Sequence, residues 1–294
     1  MIIRRVTALV LAVSMLPACT AESPRMPPIT MPPSTATGTE PDYTFAPPDR
    51  GSVRVSTTPS PPVLYQKPPV NATFDYQIGG AYQPGGSVRV VDRDRAETAV
   101  TGRYGICYVN AFQTQPGEAD LRRWILEDDG GQQVEDPDWP GEYLLDISTA
   151  ANRTALAAAV GEWFAGCARN GYQAVEPDNL DSWTRSAGAL TEDDAVAYAK
   201  MLVENAHRHG LAIGQKNTAE FPAVGFDFAV VEECQPYDEC DWFRTAFRDR
   251  MFEIEYTRAA YETACADHGT QVSVILRDRD VVAQGAEGYV YEQC

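Results

Sequence analysis

The sequence predicts an α/β fold: a single (β/α)8 TIM barrel over residues 71–294, preceded by a disordered linker. Three observations predict it. Short apolar runs recur through this region, helical stretches lie between several of them, and nearly every run ends in polar residues. Strands alternating with helices imply a parallel sheet, and eight strands over this length imply closure into a barrel. A doubly wound open sheet is the rival, but Gly79-Gly80 after the first run has no following helix to make a dinucleotide turn.

The eight runs are Phe74–Ile78, Val88–Val91, Gly105–Val109, Gln173–Glu176, Leu211–Gln215, Phe226–Val231, Met251–Glu255 and Val272–Leu276. A further run, Tyr143–Ile147, falls inside the long third connection as a possible extra strand. Leu156, Val160, Trp163, Phe164 and Cys167 recur at helical spacing, so Thr149 to Asn170 reads as a helix. Thr191 opens a second helix with acids in its first turn, and Gly210 ends it after Arg208. Arg258 to Asp267 is the third.

The N-terminus reads as an export signal. Arg4 and Arg5 precede an apolar stretch, Val6–Met15, that is too short to span a bilayer. Leu16-Pro17-Ala18-Cys19 then resembles a bacterial lipobox, making residues 1–18 a signal peptide and Cys19 the lipidated residue; the rival is an ordinary signal with a chance cysteine. Thirteen of the 21 prolines lie between residues 20 and 70. Such a segment favours extended polyproline II and cannot bury a core, so residues 19–70 read as a disordered tether. The expected location is outside the cell, lipid-anchored to the outer face of the membrane.

Lys and Arg number 24 against 42 Asp and Glu, a net charge of −18. That excludes nucleic acid as a partner and favours cationic ones, although solubility outside the cell accounts for it equally well. Setting Cys19 aside leaves six cysteines, an even number that suggests three disulfides in an exported domain. Spacing argues only for Cys234–Cys240; Cys107–Cys167 and Cys265–Cys294 complete the expected set. No CxxC pair occurs and the histidines sit at helix ends, so no metal is expected, and no cofactor.

The polar run ends carry the functional reading, because barrel enzymes build their sites at that face. They are Gln77, Asp92-Arg93-Asp94, Asn110, Glu176-Pro177-Asp178-Asn179, Gln215-Lys216-Asn217, Glu232-Glu233, Glu255 and Arg277-Asp278. There is no GxSxG elbow and no phosphate loop. Carboxylates, amides, a lysine and aromatics remain, a set suited to glycoside cleavage, where two acids act in different protonation states. Asp178 and Glu232 lie two strands apart and can face each other across the mouth. Taken singly, each acid is as well explained by an ion pair with Lys216 or Arg277.

Phe74-Asp75-Tyr76-Gln77-Ile78-Gly79-Gly80, Cys107-Tyr108-Val109-Asn110, Glu135-Asp136-Pro137, Leu144-Leu145-Asp146-Ile147, Glu176-Pro177-Asp178-Asn179, Gln215-Lys216-Asn217, Glu232-Glu233-Cys234 and Ile254-Glu255-Tyr256 occur in this order. In that order they resemble glycoside hydrolase family 114, the endo-α-1,4-polygalactosaminidase family. The resemblance implies a (β/α)8 barrel that cuts α-1,4-linked galactosamine polymers, with acids after strands four and six. Those positions are Asp178, assigned as nucleophile, and Glu232, assigned as acid/base, in a retaining mechanism; relatives often carry Gln at the position of Glu233. Asp75, Tyr108, Asn110, Glu176, Lys216, Asn217, Glu233, Glu255 and Asp278 are the expected substrate-binding residues. Asp146 fits a helix cap equally well. Trp139 and Trp183 fit sugar stacking, or the patching of a core edge.

A monomer acting on a cationic amino-sugar polysaccharide is expected. A surface lipoprotein that binds carbohydrate without turnover, and a hydrolase of a different α-glycan, are the alternatives.

Overall fold

The computed structural model describes residues 64–219, 221 and 224–294. The expected signal peptide, Cys19 and the tether up to residue 63 lie outside the described residues. Eight parallel strands follow one another around the sheet in chain order: β1 (Phe74–Tyr76), β2 (Val90–Asp94), β3 (Tyr104–Asn110), β4 (Ala174–Asp178), β5 (Ala212–Lys216), β6 (Phe228–Glu232), β7 (Met251–Glu255) and β8 (Ser273–Arg277). A ninth, β9 (Tyr291–Gln293), pairs antiparallel with β8. It was not expected, whereas Tyr143 to Leu145 make only isolated bridges, to Glu135, Gln113 and Ile125.

The barrel is nearly closed. No ladder joins β1 to β8; side chains span the seam instead. Tyr291 Oη donates to the Phe74 carbonyl at 2.7 Å, and the Phe74 amide donates to Gln293 Oε1 at 3.2 Å. Ser273 donates to the Ala72 carbonyl and Arg277 to the Tyr76 carbonyl.

Alternate residues of each strand fill the barrel. Phe74, Tyr76, Ile106, Ala174, Phe228, Val230, Phe252, Ile254 and Ile275 pack in its interior. A Cβ at Gly214 would lie 2.6 Å from the Phe228 ring, so glycine there makes room for that ring directly beneath Lys216. Opposite parities of β3, β4 and β5 (Cys107, Val109, Val175, Ile213) face α1 (Ala150–Arg169) and α2 (Glu192–Arg208).

Two caps set these helices. Thr149 Oγ1 accepts from the Asn152 amide at 3.1 Å. Thr191 and Asp194 form a reciprocal capping box, and such caps contribute about 1 kcal/mol each. Asp146 does not cap; it accepts from the Ser148 amide and from Asn152 Nδ2, which braces the approach to α1.

The helical layer is thinner than a (β/α)8 pattern requires. Among the described residues, helices follow β3, β4, β6 and β7 only, with α3 (Cys234–Tyr237) and α4 (Cys240–Phe247) both between β6 and β7, and α5 (Arg258–His268) before β8. The structure joins the cysteines as Cys107–Cys167, Cys234–Cys240 and Cys265–Cys294. The first ties β3 to α1 across 60 residues, a closure worth about 4 kcal/mol on the chain-entropy account.

The domain begins before residue 71. The Tyr65 ring stacks on His207 at 4.2 Å and its hydroxyl donates to Asp227 at 3.2 Å. Lys67 pairs with Asp227 at 3.0 Å, and Tyr104 Oη donates to the Gln66 carbonyl at 2.6 Å. Tyr65, Gln66 and Lys67 therefore pack on the domain, within the stretch expected to be tether. Among the described residues no helix is long and apolar enough to cross a membrane.

Candidate active site

Lys216, the last residue of β5, points up the barrel axis and is 2% exposed. Its Nζ lies 3.1 Å from Glu176 Oε1 on β4, 3.2 Å from Glu232 Oε2 on β6 and 3.7 Å from Asp178 Oδ1, and donates to Tyr76 Oη on β1 at 2.8 Å. Burial alone would push the lysine pKa down, but the charges of Asp178, Glu176 and Glu232 outweigh it and hold it well above the usual value. One buried cation therefore organises three carboxylates.

Each carboxylate that reaches the cleft has further donors. Asp178 accepts from Tyr108 Oη and from the Asn179 amide, both at 2.7 Å. Glu232 accepts from Asn217 Nδ2 at 3.1 Å and from Tyr256 Oη. Burial raises the Glu232 pKa, but Lys216, Tyr256 and Asn217 together overcome it and leave the group below its ordinary value. Below this pair lies a buried acid dyad: Asp92 on β2 faces Glu176, and burial together with the Glu176 charge pushes the Asp92 pKa far up.

The backbone turns out of the barrel just above these residues. Asn179, Asn217 and Glu233 directly follow Asp178, Lys216 and Glu232, and have φ of 63°, 47° and 54°. Left-handed backbone is uncommon for non-glycine residues, though Asn tolerates it, and three instances at neighbouring strand ends cluster where functional sites keep strain. The turn at each point leaves the preceding side chain aimed into the mouth.

The mouth opens into a cleft of about 820 Å³ that includes Asp178, Lys216, Asn217, Glu232, Trp139 and Tyr237. A second hollow of about 640 Å³, lined by Asn71, Arg244 and Gln271 among others, contains none of these residues. Over residues 55–294 the sequence matches the profile of glycoside-hydrolase family GH114. The chain belongs to that family. It is therefore a glycoside hydrolase.

Solved structures agree on the fold of this GH114 domain. Ega3 of Aspergillus fumigatus, in complex with galactosamine, superposes with a TM-score of 0.65 at 22% identity, covering 79% of this chain and 98% of that one. The glycoside hydrolase domain of PelA from Pseudomonas aeruginosa gives 0.51 at 17% identity, covering 73% and 96%. No curated protein matches at the level of sequence.

Of the expected site residues of this GH114 enzyme, Tyr108, Glu176, Asp178, Lys216, Asn217 and Glu232 converge as described. Glu233 lies at the rim, paired with Arg279 at 2.5 Å. Asn110 stands behind the wall, donating to Glu142 at 2.9 Å and accepting from Asn179 at 3.0 Å. Trp139 is 57% exposed at the cleft. Trp183 also borders it but packs against Phe221, the core-edge role.

Three more of the expected substrate-binding residues do not line the cleft. Asp75 has the parity opposite to Tyr76 and faces outward, accepting from Gln77 Nε2 at 2.8 Å and Tyr82 Oη at 2.6 Å. Asp278 braces the last loop, accepting from the amides of Val282 at 2.8 Å and Val290 at 3.1 Å. Glu255 likewise points out of the barrel, where it accepts from the Gln235 amide at 3.1 Å beside Glu253. Its place at the cleft is taken by Tyr256; Tyr256, Tyr76 and Asp92 stand in the quoted motifs and strand ends without an expected site role, and Glu142, Tyr237 and Arg279 have no signal in the sequence.

Glu253, Glu255, Cys234 and Cys240 come close enough to surround an ion, but the two cysteines are bonded to each other.

The displaced Glu255 yields a stability prediction. Burial, reinforced by the Glu253 charge, raises its pKa from 4.5 to about 8. The folded form therefore keeps a proton that the unfolded chain releases, so stability falls as pH rises between those values. His268 acts in the same direction: burial lowers its pKa, but its contact with Glu253 raises it more. The denaturant midpoint of the parent should fall between pH 5 and pH 8, and Glu255→Gln should flatten part of that slope in urea titrations at several pH values.

Proposed function

We propose that this protein hydrolyses α-1,4-linked, galactosamine-containing polysaccharide by a two-carboxylate retaining mechanism, with Asp178 as nucleophile and Glu232 as acid/base. The observation that carries the pair is their convergence on Lys216 Nζ. Two oxygens at 3.7 and 3.2 Å from one atom are at most about 7 Å apart. That bound contains the ~5–5.5 Å of retaining enzymes and reaches only the lower edge of the ~6.5–9.5 Å of inverting ones. Family membership supports the chemistry, the galactosamine held by Ega3 supports the sugar, and an acidic protein suits a cationic polymer.

In this reading Asp178 attacks the anomeric carbon while Glu232 protonates the departing oxygen. Water, deprotonated by Glu232, then releases the sugar with retained configuration. One observation favours exchanged roles: Glu232 receives three donors and holds its proton weakly, the condition of a nucleophile. To act as acid it must gain a proton in the substrate complex.

The test is product release from partly deacetylated α-1,4-galactosaminogalactan, followed by NMR of the first-formed anomer. Oligosaccharides appearing as the α-anomer support the reading. The β-anomer overturns retention. Binding without release favours a carbohydrate-binding surface protein, and neither binding nor release directs attention to other α-glycans.

We also propose export and lipid anchoring at Cys19, supported by the lipobox-like Leu16-Pro17-Ala18-Cys19. Cys19→Ala should move the protein from the membrane fraction to the medium and abolish incorporation of a labelled fatty acid. An unlabelled parent would exclude the anchor.

A further inference from the structure

Glu142 lies in the connection from β3 to α1, on the cleft wall shared with Asp178 and Asn179. Its backbone is fixed, the amide donating to the Trp139 carbonyl at 3.0 Å and the carbonyl accepting from the Asp136 amide at 2.9 Å. Its Oε2 accepts from Asn110 Nδ2 at 2.9 Å, and Asn110 Oδ1 accepts in turn from Asn179 Nδ2. One amide side chain thus links Glu142 to the residue after Asp178.

Four other acids of the cleft have cations. Asp178 and Glu232 share Lys216, Asp136 has Arg185 at 2.8 Å, and Glu233 has Arg279. Among the described residues, no Lys, Arg or His nitrogen pairs with Glu142 within 4.0 Å. A half-buried carboxyl with no cation in contact holds its proton or takes a cation from outside. Burial, with Asp178 and Asp136 nearby, raises its pKa to about 7 against the opposing effects of Asn110 and Arg185, so either state is accessible near neutrality.

We propose that Glu142 recognises the C2 ammonium of a galactosamine unit beside the cleavage point and thereby makes the enzyme prefer non-acetylated over N-acetylated units. The inference rests on the substrate reading above. The ammonium completes the missing ion pair, whereas an N-acetyl group presents a neutral amide and leaves the carboxyl unmatched. Glu142 is a specificity residue in this account and takes no part in bond breaking.

The full-length parent, Glu142→Gln and Glu142→Asp would be compared on partly deacetylated polymer and its fully N-acetylated counterpart. Calorimetry with short galactosamine oligosaccharides and their N-acetylated forms would accompany the kinetics. Gln should lower kcat/KM and affinity for galactosamine about 10- to 100-fold and change the N-acetylated values little, so that discrimination collapses at an unchanged thermal midpoint. Asp, which keeps the charge, should keep the preference. Undiminished discrimination by Gln, or a parent that cleaves both polymers equally, overturns the role of Glu142 while the galactosaminidase reading stands. A parent that neither cleaves nor binds either polymer overturns both.

Discussion

Asp178→Asn and Glu232→Gln should each lower turnover of the polymer by about 10²- to 10⁴-fold, the usual effect of losing a positioned proton-transfer group or nucleophile. Neither should unfold the domain, because in each variant Lys216 keeps Glu176 and one other carboxylate. Added azide then separates the roles. Loss of the nucleophile lets azide attack the anomeric carbon directly, giving a glycosyl azide of inverted configuration. Loss of the acid/base leaves the covalent intermediate to form from substrates whose leaving group needs no proton; azide then attacks it with overall retention. An inverted azide from Asp178→Asn and a retained one from Glu232→Gln would support the proposed assignment. The opposite pattern would establish the exchange that the weak proton affinity of Glu232 favours. Near-parental turnover by either variant would remove that residue from the pair.

The eight strand positions are legible because each is a short apolar run that stops at polar residues, and two of the helices are legible, one from its period and one from its Thr191 start and Gly210 stop. Parity was not legible. Strands of a parallel barrel are apolar on both faces, so alternation carries no signal, and nothing in the sequence turns Asp75 and Glu255 away from the cleft. Register supplies what alternation cannot. Glu232 stands beside Ile254, an interior residue, so Glu232 faces inward and Glu233 turns to the rim. By the same parity Ile254 and Tyr256 face inward, and Glu255 faces out.

Two other losses have different causes. The short helices α3 and α4 flank the Cys234–Cys240 bond, and α3 contains Pro236, so neither has the length that makes a period visible. Glu142 sits in a loop whose path depends on bridges such as Glu135 to Tyr143, and nothing local in the sequence brings it back beside Asp178. Asp92 was seen as a polar strand end, but its pairing with Glu176 needs two strands separated by one other to meet across the barrel interior.

Lys216→Met should have the largest effect on the protein as a whole, because it removes the one cation from a buried group of acids. Breaking a buried ion pair by deleting one partner costs about 3–5 kcal/mol, most of it from the charge left behind. Here Glu176, Asp178 and Glu232 all lose their counter-charge. Glu232, which Lys216 helps to hold below its ordinary value, would then keep its proton more tightly, so its folded pKa rises. A raised carboxyl pKa favours the folded state at low pH and loses that advantage as pH rises. The stability deficit should therefore be smallest near pH 4–5 and grow toward pH 8, measured by urea unfolding against the parent. Activity should vanish throughout, since Asp178 and Glu232 both lose the cation that holds them together and Glu232 loses a donor that orients it. Adding Glu176→Gln to the same chain should restore part of the lost stability, because that group is fully buried and has no route to solvent. It should restore none of the activity. A deficit independent of pH, or a double variant no more stable than the single one, would mean that Lys216 acts by packing against Tyr76 and Tyr108, 5.3 and 5.7 Å from their ring centres, more than by its charge.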